Sequence, residues 1–543
     1  MTYVITQNCC KDASCIPVCP VECIHPVGSP GSFTDTEMLY IDPDVCIDCG
    51  ACQEECPVDA IYPEERLPAE LARFRDINAR YFEHNPLQPD IAEHLDAHSA
   101  VQQGTLRVAI VGAGPAGCYA AEELTRTKGV EITLVERLPV PFGLVRFGVA
   151  PDHQHTKNIT RLFAETLNSG TVNCLFNVEV GSDVVHDELM AHHHAVIYAV
   201  GASASRTLGI PGEGLPGHHS AAEFVGWYNG HPNQAHLDFD LSGNRVVIIG
   251  NGNVSLDIAR ILLSPNAVLA TTDIADHALQ ALEASAVREV VILARRGPRQ
   301  AAFSLGEFLA LGQMSDVEVV IDDHGLDADP SDDVETAVKL EIAREYARRP
   351  SSAATKRIVF RFFAAPDEIV GDDRVAGLRV TPTELGADGV AVPSGESEVI
   401  ESSLILHSTG YRGSEVPGVP FDAATGTVPN AGGRVLDESG QPVPGVYVTG
   451  WIKRGPRGVI GTNRTCAEQT VGALWEDFDA GELASDIRDR VELGELVATR
   501  DITPLDWTDW MVIDAAERES GAASSRPRAK FVDVAAMLDA VRR

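Results

Sequence analysis

The chain has 543 residues, a formal net charge of −36 and 44% hydrophobic residues. It is too long for one core, and about three to four domains are expected. The acid excess leaves nothing to neutralise phosphates, which excludes nucleic-acid or anionic-membrane binding. No apolar run reaches the length of a membrane span, and the N-terminus lacks a basic-then-apolar leader, so a cytoplasmic protein without membrane insertion is expected.

Nine of the twelve cysteines lie in the first fifty-six residues. Cys118, Cys174 and Cys466 are scattered, form no CxxC step and read as structural. Clustered cysteines in a reduced compartment point to metal, not to a disulfide framework. Two runs share one frame: Cys9-x2-Asp12-x2-Cys15-x3-Cys19-Pro20 and Cys46-x2-Cys49-x2-Cys52-x3-Cys56-Pro57. Thiolates two residues apart bind corners of one iron–sulfur cubane, while the cysteine before proline ligates the other cluster. One cluster therefore takes Cys46, Cys49, Cys52 and Cys19, and the other takes Cys9, Cys15 and Cys56. Asp12 stands where the remaining thiolate would be. Either it fills that corner weakly, since hard oxygen suits this iron less well than thiolate, or it is a solvated turn carboxylate over a three-iron site. Cys10 is a third alternative for the corner. A zinc ribbon does not account for Cys-x3-Cys-Pro in both runs.

The stretch 67–104 opens with an amphipathic helical pattern and reads as a linker, or as a strap packing head on body. From residue 105 apolar strands and helices alternate, an α/β pattern with parallel sheets. The first Gly-rich turn, Gly112-Ala-Gly114-Pro-Ala116-Gly117, follows a strand and opens a helix. Its glycines allow a tight turn, close approach of a pyrophosphate and close helix packing. The next strand ends in Glu136, placed to bond a ribose 2′-hydroxyl. The second turn, Gly250-Asn251-Gly252-Asn253-Val254-Ser255, also enters a helix. The strand after it ends in Arg295-Arg296 where an NAD site would carry an acid, and two guanidinium groups there suit the 2′-phosphate of NADP(H).

The first 66 residues, including CIPVCPVECI and DVCIDCGACQEECPVDAIY, resemble the bacterial seven-iron ferredoxins, although the five residues between Cys9 and Cys15 are fewer than that family has. The rest, through VERLPVPFGLVRFGVAPDHQHTKN, GNGNVSLDIARIL, ARRGP and GWIKRGPRGVIGTNRTCAEQT, resembles the adrenodoxin-reductase type of ferredoxin–NADP reductase. Together they resemble the bacterial fused ferredoxin/ferredoxin–NADP reductases. The resemblance implies a bacterial-type ferredoxin (α+β) head, 1–66, then the 67–104 segment and two Rossmann-like domains. The NADP domain (206–408) is inserted in the FAD domain (105–205 and 409–543). It implies FAD at Gly112, Gly114, Ala116, Gly117, Glu136, Leu144 and Val180, with Trp451, Gly458, Val459 and Ile460 bordering the isoalloxazine. It implies NADPH at Asn251, Gly252, Asn253, Val254, Arg295, Arg296, Glu307 and Gly458, with one [3Fe–4S] or labile [4Fe–4S] cluster and one [4Fe–4S] cluster in the head.

The expected reaction is electron transfer from NADPH through FAD to the clusters and an external ferredoxin or other one-electron protein, reversible in principle. It needs no side-chain catalyst; His153 and Glu307 are weak candidates, His153 reading more readily as a structural loop histidine. In the resembled family arginines after ARRGP dock the ferredoxin, but the helix GEFLALGQM carries no arginine or lysine, so a tethered head dispenses with them or uses Lys453, Arg454 and Arg457. Residues 322–336 read as an acidic loop, 344–357 as a solvated basic helix end, and the C-terminal tail as a docked helix with surface basic residues. The alternatives are an electron-input subunit of the glutamate-synthase small-subunit type and a non-enzymatic iron–sulfur carrier.

Overall fold

A computed structural model describes residues 2–27, 36–87, 98–350, 354–500 and 502–542. The head is built from two antiparallel ribbons, Tyr3–Ile5 with Ile61–Pro63 and Ile24–His25 with Tyr40–Ile41. They are too short to hold a core alone, and the head borrows one. The helix Arg73–His84 lays Phe74, Ile77, Tyr81 and Phe82 against the ribbons, all of them buried. Its Asn78 ties both ribbons together: Oδ1 accepts from the Ile41 and Ile5 amides at 2.9 and 3.3 Å, and Nδ2 donates to the Ile5 carbonyl at 2.9 Å. The opposite side of this helix meets the body, where Arg80 pairs with Glu341 at 3.0 Å and Arg73 pairs with Glu345. The segment is thus a strap, not a free linker; residues 88–97 of it lie outside the described residues.

The body has two parallel sheets. In the first, Asn430–Ala431, Arg434–Leu436, Pro442–Val448, Ala195–Tyr198, Arg107–Val111, Glu131–Glu136 and Val172–Phe176 lie side by side, the last five parallel. In the second the order is His218–Ser220, Leu404–His407, Arg245–Ile249, Glu289–Leu293, Lys356–Arg361 and Val317–Ile321, all parallel. The chain leaves the first sheet after Tyr198, builds the second, and returns at Asn430. Their central strands are buried on both faces, which is why they read as unbroken apolar runs. Among the described residues no helix is long and apolar enough to cross a membrane.

Three segments differ from expectation. Residues 364–401 form an antiparallel sheet (Ala364–Val370, Gly377–Leu385, Ala391–Pro393, Glu398–Glu401) that strand–helix alternation does not announce. The acidic 322–336 stretch is a loop only to Asp333, whose side chain caps the helix Val334–Arg348 by accepting from the Thr336 amide at 2.7 Å. That helix ends at exposed Arg348 and Arg349, as read, but its start is the body's wall against the head: Tyr40 donates its hydroxyl to Glu335, the Glu37 amide donates to Glu335 at 2.9 Å, and Lys339 pairs with Glu37. In the tail Arg526, Arg528 and Lys530 are not on the surface. Lys530 is buried and its Nζ lies 2.9 Å from Asp273, while Arg528 pairs with Glu517 at 2.9 Å and Asp514 at 2.8 Å. Glu517, itself fully buried, also grips Arg146 of the FGLVRF helix at 2.5 Å. The tail thereby fixes that helix from behind.

Candidate functional site

The two cysteine runs close two cavities. Cys19, Cys46, Cys49 and Cys52 line one, with Ile47 and Gly50; Cys9, Cys15 and Cys56 line the other, with Cys10, Asp12 and Pro57. Burial pushes several of these thiols up, Cys9 to about 11 and Cys52 to about 12, with Cys15 and Cys10 well above the usual range, whereas at Cys46 burial is outweighed by hydrogen bonds from the Thr2 side chain and nearby backbone, which hold the thiol below it. Cysteines gathered into two such sets fit a cation that binds them as thiolates, as iron does. Cys23 stays beside Cys19, with the sulfurs 3.4 Å apart.

Asp12 lines the second cavity but is not solvated. It is 4% exposed, and its Oδ1 accepts from the Ser14 amide at 3.1 Å and from the Ser14 hydroxyl. Its Oδ2 accepts from the Tyr119 hydroxyl at 2.8 Å and from Arg464 Nη2 at 3.1 Å. Tyr119 stands on the helix Pro115–Thr125 and Arg464 on the helix Thr462–Asp479, so this carboxylate faces the body. The Gly461 amide donates to the Cys10 carbonyl at 2.8 Å, and a Cβ on Gly461 would strike the Lys11 backbone. The Cys9–Cys15 loop is therefore seated on the 458–464 segment. Lys453 instead bonds Gln469 and Thr470, and Arg454 bonds Asn463 at 3.0 Å, so neither docks the head. The arginine-free helix Leu305–Leu311 is covered by the head as well. The Leu305 amide donates to Glu37 at 2.6 Å, and a Cβ on Gly306 would lie 2.6 Å from Gln7 Cβ.

At the first Gly-rich turn Gly112 has φ +106, and an added Cβ would lie 2.7 Å from the Ala199 carbonyl oxygen. An added Cβ on Gly117 would collide with the Gly112 carbonyl, while one on Gly114 would meet nothing nearer than Gly143 Cα at 4.0 Å. The free space at Gly114 permits the close backbone approach that a pyrophosphate requires. Glu136 accepts from the Ala113 and Leu138 amides at 2.9 and 3.1 Å, and burial raises its pKa. Leu144 is 44% exposed on the helix Gly143–Phe147, and Val180 bridges Val184. Gly450 abuts Ala116, where a Cβ would lie 2.5 Å from the alanine methyl, and so brings the Trp451 segment to this turn. Trp451 stacks with Tyr411 at 5.9 Å, and Gly458 has φ +83. The Val459 amide donates to Thr462 at 3.1 Å, and the Ile460 carbonyl accepts from Asn463 at 2.8 Å.

At the second turn a Cβ on Gly250 would collide with the Ser408 carbonyl, whereas one on Gly252 would meet open space. Asn253 accepts from the Ser304 amide at 2.6 Å, next to Asn251 and Val254 at the helix start. Arg295 and Arg296 are exposed beyond the strand Glu289–Leu293, and among the described residues no carboxylate pairs with either. The arrangement fits a phosphate dianion.

His153 and Glu307, from different parts of the chain, meet around a cation that sequence reasoning missed. Arg260 donates to Asp152 at 2.6 Å, Asp257 at 2.7 Å and Glu307 at 2.9 Å, and its Nη2 lies 2.7 Å from His153 Nε2. His153 is thus no ordinary loop residue. Burial pushes the Asp257 carboxyl up to about 6, against the pull of Arg260. The signal available was Asp257-x2-Arg260, two charges on the inner face of an otherwise apolar helix. The three acids and the histidine surround the arginine already, so the group holds its own cation.

The fold and sites define a two-dinucleotide oxidoreductase carrying a cluster-binding head. A family model described as pyridine nucleotide-disulphide oxidoreductase matches residues 106–297, and one described as a 4Fe-4S binding domain matches 39–62. The probable ferredoxin/ferredoxin–NADP reductase of Mycobacterium tuberculosis is 47% identical over 99% of this chain and 95% of its own length. That of Mycobacterium leprae is 45% identical over 99% and 97%. The solved structure of Mycobacterium tuberculosis FprA in complex with NADPH is 42% identical, covering 81% of this chain and 100% of that one, with a TM-score of 0.77. The chain belongs to the fused ferredoxin/ferredoxin–NADP reductase family.

Proposed function

We propose that the chain is a cytoplasmic NADPH–ferredoxin reductase whose first acceptor is its own head. The overall step is NADPH plus two oxidised one-electron centres giving NADP⁺, H⁺ and two reduced centres. FAD, when bound, supplies the exchange between a two-electron donor and one-electron acceptors. Gly112, Gly114, Ala116, Gly117 and Glu136 hold its dinucleotide half, and Leu144, Val180, Trp451, Gly458, Val459 and Ile460 border the rest. Asn251, Gly252, Asn253 and Val254 seat the NADPH pyrophosphate, Arg295 and Arg296 take its 2′-phosphate, and Glu307 and Gly458 lie towards the nicotinamide. Cys19, Cys46, Cys49 and Cys52 carry a [4Fe–4S] cluster; Cys9, Cys15 and Cys56 carry a [3Fe–4S] cluster. An external ferredoxin or other one-electron protein then exchanges electrons with the head.

The observation that carries this reading is the Gly461 amide bonded to the Cys10 carbonyl, which joins the cluster loop to the segment beside the flavin position. The test is anaerobic addition of NADPH with ferricyanide or cytochrome c as acceptor, alongside electron paramagnetic resonance of the oxidised protein. Turnover with NADPH, much reduced with NADH, and an oxidised three-iron signal are expected. No turnover with either acceptor would sink the reductase reading, and a silent spectrum would sink the three-iron assignment.

A further inference from the structure

Asp12 occupies a position where this cysteine frame calls for a thiolate, yet its oxygens are already spoken for. An ionised carboxylate offers about four acceptor directions. Four donors fill them: the Ser14 amide and hydroxyl on Oδ1, the Tyr119 hydroxyl and Arg464 Nη2 on Oδ2. None is left for iron. On the far side Arg464 is itself held, by Glu122 at 3.2 Å and by the Tyr119 ring 5.1 Å below its guanidinium. We propose that Asp12 is a positioning residue: through Arg464 and Tyr119 it latches the Cys9–Cys15 loop to the 458–464 segment, making this cluster the point where electrons enter the head. Its loss of a thiolate serves docking, and the open cluster corner follows from it.

The geometry supports entry at this end only. The Cys9–Cys15 loop has Cys10, Lys11, Asp12 and Cys15 buried, with the Cys10 carbonyl bonded to Gly461. The other cavity opens outward: Cys49 is exposed, and Ile47, which lines that cavity, is 59% exposed. The inference rests on the reductase reading above, and the experiment separates the two.

Arg464→Met, Arg464→Lys, Tyr119→Phe and Asp12→Asn are prepared as cluster-loaded, FAD-loaded full-length proteins. NADPH–ferricyanide turnover, iron content, the resonance spectrum of the oxidised three-thiolate cluster and the rate of its reduction by NADPH are measured for each. Arg464→Met and Asp12→Asn are expected to slow cluster reduction about tenfold or more, as misplacement of reacting groups does. Tyr119→Phe should slow it less, and Arg464→Lys should restore most of the rate. Ferricyanide turnover of Arg464→Met, iron content and the cluster spectrum should stay as in the unsubstituted protein, and hydrogen exchange at 10–14 should rise. A changed iron content or cluster spectrum in Asp12→Asn would make Asp12 a ligand and overturn the proposal. An unchanged reduction rate in Arg464→Met, with ferricyanide turnover retained, overturns the latch alone. Absence of ferricyanide turnover in the unsubstituted protein overturns the reductase reading and this inference with it.

Discussion

The two halves of the head use the same cysteine frame and meet opposite surroundings. The Cys9–Cys15 loop is pressed on the body by Asp12, Arg464 and Gly461, while the Cys46–Cys52 loop faces water with Val45, Ile47 and Cys49 exposed. A motif that is symmetric in sequence is therefore polar in space. The half that departs from the repeat, at Asp12, is the half that has acquired a neighbour.

Removing the irons with a chelator should test this contrast hardest. By comparison with structural zinc, cluster binding supplies on the order of 10 kcal/mol of folding free energy. Hydrogen exchange of the stripped protein should then show 46–52 fully open while 10–14 keeps some protection from its contact with the body. Equal exchange in both loops would break the contrast. Gly461→Val comes next. A side chain driven into the Lys11 backbone costs about 1–3 kcal/mol as overpacking, and the head should lift, seen as new protease cleavage near 70–105 and loss of cluster reduction by NADPH.

Glu335 gives a pH handle on the strap side. Burial, with Glu37 adding to it, holds its carboxyl up at about 7, although Tyr40, the Glu37 amide and Lys339 face it. A raised acid binds its proton more tightly when docked, so docking is strongest below the ordinary carboxylate range and weakens as pH rises towards 7, by up to about 1.4 kcal/mol per pH unit. Glu335→Gln should flatten exchange at Tyr40–Ile41 across that window; an unaltered profile would assign the dependence elsewhere. Ile47→Ala is the smallest change expected, within about 0.5 kcal/mol by thermal melting, because this side chain packs on one side only.

The cysteine frame was readable because its chemistry is local: ligand spacing, a proline and a turn decide which thiols converge, and both cavities gather those sets. The Gly-rich turns were readable for the same reason. Asp12 was not, because its partner Arg464 lies 452 residues away and the choice between ligand, surface and interface is made by tertiary contact. The Val334–Arg348 helix was misread at its start, where helix propensity had to be inferred from an acid-rich stretch, and its docking role depends on Glu37 and Tyr40 of the head. Lys530 reads as a surface cation in any local window; Asp273, which buries it, belongs to another part of the chain.

The coverage of the helix Leu305–Leu311 by Gln7 and Glu37 alters the kinetic order of the reaction. A separate carrier must find its reductase by diffusion, and charged docking surfaces make that search sensitive to salt. Here no search is required. On the proposed route, reduction of the head is unimolecular, with a rate independent of dilution and only weakly dependent on ionic strength, and the bimolecular, salt-sensitive step moves outward to the external partner.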